Sequence, residues 1–339
     1  VNLDAPHLLW GHNVEVSLDD VARRLADGPI NGVASRGAMA TGFDPLDRVL
    51  DGGLRRGDLA IVGGLPGSGK TIMTVQWARN LARAGHRVFY CCYEHDVATL
   101  FGRLLGLEMG ELPQPADADD REALREVVRQ AMSGGWDDEP PALRHPVVRA
   151  ALAQMASYAD SLILTQLSGA TAGLAHIEAA VRRAVARPFD VVMVDYLQKV
   201  PNAVALTPFD RYAATVEGLK TLALTEQCAV VAVSAVGPEA LGGKRLRLDG
   251  LRGAHTLAHE ADAVLTLNAK LNVVAKAHLA FDSTRHGEFA RAVVVTVEKN
   301  RRGEAMVDLE FDKDFANYRF LPRGRFVAEK LVDGVEVDE

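Results

Sequence analysis

Apolar positions through the middle of the chain follow two rhythms. Short runs rich in Val, Ala and Leu recur at Leu59–Gly63, Arg87–Cys92, Ser161–Thr165, Val191–Asp195, Ala229–Ser234, Ala263–Leu267 and Ala292–Glu298, and they predict strands. Between the first five stand longer stretches with helical spacing: Thr71–Ala84, Asp96–Leu105, Ala175–Ala186 and Phe209–Thr225. In the last, Tyr212, Val216, Leu219 and Ala223 stand three and four apart, one apolar helical face. Strand–helix alternation of this kind predicts an α/β fold, a mostly parallel twisted sheet with helices on both faces. Such sheets hold ligands beyond the carboxyl ends of their strands, so chemistry is expected just after each strand.

Three regions fall outside the rhythm. Residues 1–40 form an arm in which Ser17, Asp20, Val21 and Leu25 predict a short amphipathic helix, followed by a linker with Pro29, Gly32 and Gly37. Residues 108–157 interrupt the alternation with Pro113, Pro115, the acids Asp117, Asp119 and Asp120, and helical patterning, and read as a helical insertion in the core of 41–321. Residues 322–339 carry little core-forming content and are expected to hang loosely as a tail. The first residue is Val, which fits an alternative start or trimming, and no basic-then-apolar secretory signal follows it.

Composition narrows the classes. With 339 residues, 48% hydrophobic and 24% charged, the chain is globular and long enough for a large core, not disordered or collagen-like. The net charge of −7 excludes a protein that coats nucleic acid with its whole surface but leaves room for a local basic path. No apolar run approaches the roughly 18 residues needed to cross a bilayer, so no membrane partner is expected. Cys91, Cys92 and Cys228 are too few for a disulfide framework and fit a reduced, cytoplasmic setting. Adjacent Cys91 and Cys92 should face opposite sides of their strand.

The strongest chemical signal follows the first strand. Gly64, Leu65, Pro66, Gly67, Ser68, Gly69, Lys70 and Thr71 match G-x-x-x-x-G-K-[ST] and open a helix through Ile72. The glycines let backbone N–H groups turn toward phosphate, the helix adds its dipole, Lys70 reaches the β/γ-phosphates and Thr71 offers a hydroxyl to Mg²⁺. A nucleoside triphosphate is therefore expected, with ATP and Mg²⁺ as cofactors. Asp195 ends the fourth strand, where a carboxylate holds Mg²⁺, and Glu94 follows the second, where one could polarise the attacking water.

Further residues carry a family resemblance. Thr41, Gly42, Phe43, Asp44, Pro45, Leu46 and Asp47, then Gly52, Gly53, Leu54, Gly57 and Asp58 ahead of the phosphate loop, resemble the opening of the RecA-type ATPase domain of DnaB-type replicative helicases. The run Val194, Asp195, Tyr196, Leu197, Gln198 is similar to that family's Walker B segment, and Glu298, Lys299, Asn300, Arg301 and Gly303 to its finger motif. The resemblance spans about 41–321. It implies Asp195 as the Walker B acid, Glu94 as activator of water, and Lys299 and Arg301 as fingers reaching a neighbouring subunit's γ-phosphate in a homo-hexameric ring. It further implies an ATP hydrolase of DNA replication that moves along or unwinds single-stranded DNA. Lys244, Arg245, Arg247 and Arg252 form a basic loop suited to phosphate contacts, with Arg211 a further candidate; no aromatic residue is interleaved for base stacking.

The chain also departs from that pattern. Only about 40 residues precede the ATPase core, where the family has a helical N-terminal domain. Ser234 is followed by Ala235, whose side chain cannot make the hydrogen bonds of the family's sensor glutamine. Gly250, Leu251, Arg252, Gly253, Ala254 and His255 lack the acid that normally follows the loop arginine and stand closer to the RadA branch, yet RadA's zinc finger and protease-like domain find no counterpart. The alternative is therefore a RadA- or KaiC-like recombination mediator or nucleotide-switched scaffold. His255 and His259 stand four apart with no third metal ligand nominated, and His95 and His286 carry no evident role.

Overall fold

The computed structural model describes residues 37–133, 144–201, 207–240, 245–275, 278 and 283–333. The N-terminal arm through residue 36, Lys244 and residues 334–339 lie outside them. Strand β1 spans Leu59–Gly64, β2 Val88–Cys92, β3 Leu162–Gln166, β4 Val191–Asp195, β5 Ala229–Ser234, β6 Ala263–Ala269, β7 Ala292–Asn300, β8 Val307–Asp314, β9 Arg319–Phe320 and β10 Arg325–Phe326. Among the described residues they form one sheet in the order β10-β8-β7-β6-β1-β5-β4-β2-β3, with β9 on β8. From β6 to β3 all pairings are parallel, and β7, β8 and β10 extend the sheet antiparallel. This is the mostly parallel α/β sheet that the alternation predicts. Parallel strands covered on both faces need apolar residues at every position, and β1, β2, β4 and β5 are buried throughout.

Helix α1 (Lys70–Arg83) and α2 (Val97–Glu111) cover one face, α5 (Leu174–Arg183) and α6 (Pro208–Thr225) the other. Successive β1 residues divide between the two cores: Ala60 and Val62 join Met73, Trp77 and Leu81 of α1, while Leu59 and Ile61 join Val216 and Leu219 of α6. Cys92 and Cys91 divide in the same way, and all three cysteines are buried and free. Phe43 packs edge-on against Trp77, Phe311 and Phe320 at 5.3–6.5 Å, so the segment before the phosphate loop closes the first core. Asp47 makes that segment turn, accepting from the N–H and hydroxyl of Thr41 (2.8 and 2.7 Å) and the N–H of Gly42 (2.9 Å).

The insertion folds as helices α3 (Ala118–Met132) and α4 (Pro146–Ala156), which make a small separate core with α2 through Leu105, Leu124, Val128 and Val148. Asp117 caps α3 by accepting from the N–H groups of Asp119 and Asp120, so part of the acidic run is a helix start. Helix α2 runs past Leu105, where the apolar pattern predicts its end, to Glu111. Its last turn carries Glu108 and Glu111, which pair with Arg79 and Arg83 of α1.

The tail differs from expectation through residue 333. β10 pairs with Leu309 and Glu310 of β8, Asp44 N–H donates to the Pro322 carbonyl, and Val332 N–H donates to the Val273 carbonyl. Glu329 accepts from the buried Lys270 at 2.7 Å. An edge strand draws its stability from its neighbour's backbone, which explains why a segment with few apolar residues is held.

Trp77→Ala, which empties a fully buried site, should lower the urea-unfolding free energy by about 3–5 kcal/mol. Phe326→Ala on the exposed end of β10 should cost under about 0.5 kcal/mol in the same titration.

Candidate functional site

The carboxyl ends of β1, β2, β4 and β5 open into a cavity of about 470 Å³. Its walls include Pro66, Gly67, Gly69, Lys70, Thr71 and Ile72 of the loop and α1, with Glu94, Asp195, Tyr196 and Ala235 from the neighbouring strand ends. Gly67 and Gly69 take positive φ (77° and 95°), and a Cβ on Gly69 would lie 2.6–2.7 Å from the rings of Phe315 and Phe320. Only glycine fits there, for conformation and for space. Gly69 leads into α1 without a side-chain cap, leaving the first-turn N–H groups directed at the loop. Lys70 Nζ donates to the carbonyls of Gly64 (2.8 Å) and Leu65 (3.0 Å), which folds the loop around its charge. Leu65 itself packs into the core beside α6, and Ser68 is buried with its hydroxyl unpartnered.

Burial governs the charges. It lowers the pKa of Lys70, with Asp195 and Glu94 opposing. It raises that of Asp195, with the Thr71 hydroxyl and the Tyr90 phenol opposing. Tyr90 donates to Asp195 Oδ2 at 3.1 Å and shares a 2.9 Å hydrogen bond with Thr74, while Asp195 Oδ1 is buried with no hydrogen-bond partner. A carboxylate oxygen in that state, with the Thr71 hydroxyl near it, is a fitting ligand for a hard cation such as Mg²⁺. Glu94 stands exposed at the cavity mouth, joined to the β4 end through the hydrogen bond from Tyr93 N–H to the Asp195 carbonyl (2.7 Å).

Several lining residues were given no role by the sequence. His95 contacts Arg103 at 3.0 Å, and burial together with that guanidinium lowers its pKa, so it is no isolated histidine. Phe315 and Tyr318 reach the cavity from the link between β8 and β9. No local pattern could have found them, because a chain distance of more than two hundred residues separates that link from the loop. Arg103 stands on α2 nine residues after Glu94, and only the helix geometry turns it back.

The finger candidates lie elsewhere. Lys299, in β7, donates to the Ala258 carbonyl at 2.6 Å, and Arg301 bonds the His259 carbonyl and Asp262 Oδ1. Both therefore meet the carboxyl end of helix α7 (Ala254–Glu260), projecting together as their spacing predicts. Since β7 runs against β6, Lys299 pairs with Val264 and Arg301 N–H reaches Asp262, near the amino end of β1. The phosphate loop leaves the other end of β1, roughly 16 Å away along the strand.

The basic loop is divided. Arg245, with a side chain only 5% exposed, is paired with Asp308 and donates to Thr296 Oγ1 at 2.9 Å; Arg247 pairs with Glu298 (3.1 Å) and Asp333 (3.4 Å). The acids of β7 and β8 thus pair with both of these cations. Arg252 and Arg211 are exposed and line a second cavity of about 520 Å³ with Thr215 and Val200. The rings of His255 and His259 lie 4.6 Å apart on α7. Among the described residues, no helix is long and apolar enough to cross a membrane.

Known proteins resemble this arrangement. The family model described as the DnaB-like helicase C terminal domain matches residues 38–119 and 145–320. The replicative DNA helicase DnaB of Treponema pallidum (strain Nichols) is 28% identical over 237 residues, which are 69% of this chain and 48% of that protein. The DNA repair protein RadA of Brucella abortus (strain 2308) is 27% identical over 128 residues, 38% of this chain and 25% of that protein. The chain thus spans half or less of the length of these curated relatives. Among solved structures, one ATPase domain superposes with a TM-score of 0.69 at 18% identity, covering 91% of this chain and 99% of that one. A DnaB-like replicative helicase, solved for its interactions with primase, gives 0.68 at 17%, covering 91% and 68%. At these identities the likeness is one of fold.

Asp195→Asn should weaken affinity for a fluorescent ATP analogue in Mg²⁺ by about tenfold, equivalent to about 1.4 kcal/mol, and should remove most of the difference between titrations in Mg²⁺ and in EDTA.

Proposed function

The chain belongs to the DnaB-like helicase C-terminal domain family, and on that premise we propose that it is a RecA-like ring motor that couples ATP hydrolysis to movement along single-stranded DNA. The single observation that carries this reading is the division of the hydrolytic groups between two ends of one sheet. Loop, Lys70, Thr71, Asp195 and Glu94 share a cavity at the carboxyl ends, whereas Lys299 and Arg301 sit together near the amino end of β1. A protomer's fingers cannot reach its own phosphates, so a complete site needs a second copy of the chain, and a closed ring, a hexamer in this reading, gives every site one.

In such a site the loop N–H groups and Lys70 bind the β- and γ-phosphates of ATP. Thr71 and Asp195 would hold Mg²⁺, which would neutralise charge on the phosphate oxygens. Glu94, open to solvent at the mouth, orients the attacking water and accepts its proton. The neighbour's Lys299 and Arg301 then stabilise charge on the transferring phosphoryl group. DNA contact falls to Arg211 and Arg252 at the second cavity, joined in this reading by Lys244. The similarity to RadA supports a second reading, a DNA-dependent ATPase of recombination or repair built on the same core. The reduced cysteines fit a cytoplasmic protein.

ATP turnover measured with and without an oligo-dT strand, beside oligomer mass in ATP, tests the proposal. Stimulation of several-fold in a ring supports translocation, and a stable ring indifferent to DNA would replace the motor with a nucleotide-switched scaffold. Arg301→Ala should keep ATP binding and lose turnover by about a thousandfold. Arg211→Ala and Arg252→Ala should each weaken DNA binding regardless of sequence and reduce the salt slope by about one.

A further inference from the structure

Two cavities open at the carboxyl ends of the sheet, and between them runs a closed circuit of hydrogen bonds that joins the buried Tyr212 and Ser234 to the half-buried Gln198 and Ala235. Ala235 lines the first cavity; Gln198, Tyr212 and Arg252 line the second. The Ala235 N–H donates to Gln198 Oε1 at 2.9 Å. A backbone N–H can only donate, so this bond fixes which end of the Gln198 amide faces it, and Nε2 must donate on the other side. It does so to the Tyr212 hydroxyl at 2.8 Å and to Ser234 Oγ at 3.2 Å. Tyr212, whose oxygen accepts from that amide, donates to Ser234 Oγ at 2.9 Å, since the Ser234 proton is directed elsewhere. Ser234 in turn donates to the Ala235 carbonyl at 3.2 Å. Burial raises the Tyr212 phenol's pKa, which keeps it a protonated donor. The circuit thus grips the backbone of one residue at both its N–H and its C=O.

The same carbonyl leads onward. It accepts from Arg252 N–H at 3.1 Å, Gly237 N–H donates to the Gly250 carbonyl at 2.9 Å, and Val236 bridges Leu251, so residues 235–237 and 250–252 form a short antiparallel ribbon. Leu251 is pressed onto β1 just before the phosphate loop: a Cβ on Gly63 would stand 2.3 Å from it. After Arg252, Gly253 turns with φ +80° against the Tyr212 ring, where a Cβ would meet the ring at 2.1 Å. Arg252 is therefore held between a peptide that faces the first cavity and a ring that belongs to the circuit. The Ser234 and Tyr212 hydroxyls are buried, so a break at either leaves a polar group unpaired away from water, which couples the bonds of the circuit to one another.

We infer that Gln198, Tyr212 and Ser234 are positioning residues that transmit the state of the first cavity to Arg252 through the backbone of Ala235. The inference rests on reading the first cavity as the nucleotide site.

Hydrogen exchange of the whole chain, followed by mass spectrometry in Mg²⁺-ADP and in Mg²⁺ with a slowly hydrolysed ATP analogue, tests it. In the unmodified protein, amides of 235–237 and 250–253 should exchange at rates differing by about threefold or more between the two nucleotides. Ser234→Ala, which removes one oxygen and alters the lining of neither cavity, should abolish that difference while analogue affinity stays within about twofold. Gln198→Met should abolish it too, and if that variant fails to fold, Ser234→Ala decides. Equal exchange in both nucleotides, or a full difference surviving in Ser234→Ala, overturns the relay alone. Failure of the unmodified protein to bind either nucleotide would overturn the nucleotide reading and the relay with it.

Discussion

A phosphate loop has few side chains to hold its own shape; its geometry is inherited from the strand before it and the helix after it. Here the strand is β1, paired in parallel with β5 on one side and β6 on the other and buried along its whole length. That double pairing fixes where Gly64 ends and where α1 begins. It also aligns the ends of β4 and β5, so that Asp195 and Ala235 arrive at the same level as the loop. The rings of Phe315 and Phe320 press against Gly69 from the far end of the chain, which places the last strands of the domain among the supports of the loop.

On this frame the electrostatics are set by burial. Desolvation pushes Lys70 and Asp195 toward the neutral form; the charges of Asp195 and Glu94 oppose it at Lys70, and hydrogen bonds from Thr71 and Tyr90 oppose it at Asp195. A buried carboxylate oxygen without a hydrogen bond is costly, and Asp195 Oδ1 is one. A phosphate–cation pair would relieve both groups at once, a physical fit that supports the proposed nucleotide site without any family likeness.

The net charge of −7 also acquires a distribution. Many cations are engaged within the fold: Arg245 and Arg247 by acids of β7, β8 and the tail, Arg302 by Asp58, Arg56 by Asp190. The exposed cations at the second cavity are Arg211 and Arg252, and the latter is tied through the backbone to the wall of the first. Counting charges along the chain groups Arg245 and Arg247 with Arg252; three-dimensional pairing separates them.

Much of this was legible in the linear chain. Short unbroken apolar runs alternate with longer stretches of helical spacing, so the parallel strands and their covering helices could be placed to within a few residues, save for α2, which runs six residues past its predicted end. The phosphate loop and Asp195 were legible because their chemistry depends on residues adjacent in sequence or ending a strand. By itself the sequence determined the α/β class, the loop and the order of the motifs, since these rest on local spacing. Only the tertiary structure decided that Lys299 and Arg301 stand a strand's length from the loop, because antiparallel pairing of β7 reverses their direction. Only it brought His95, Arg103, Phe315 and Tyr318 to the cavity, paired Arg245 away, and joined Ala235 to Arg252. Those relations depend on which strands become neighbours, and strand order is set by packing over the whole sheet, which no local window of residues contains.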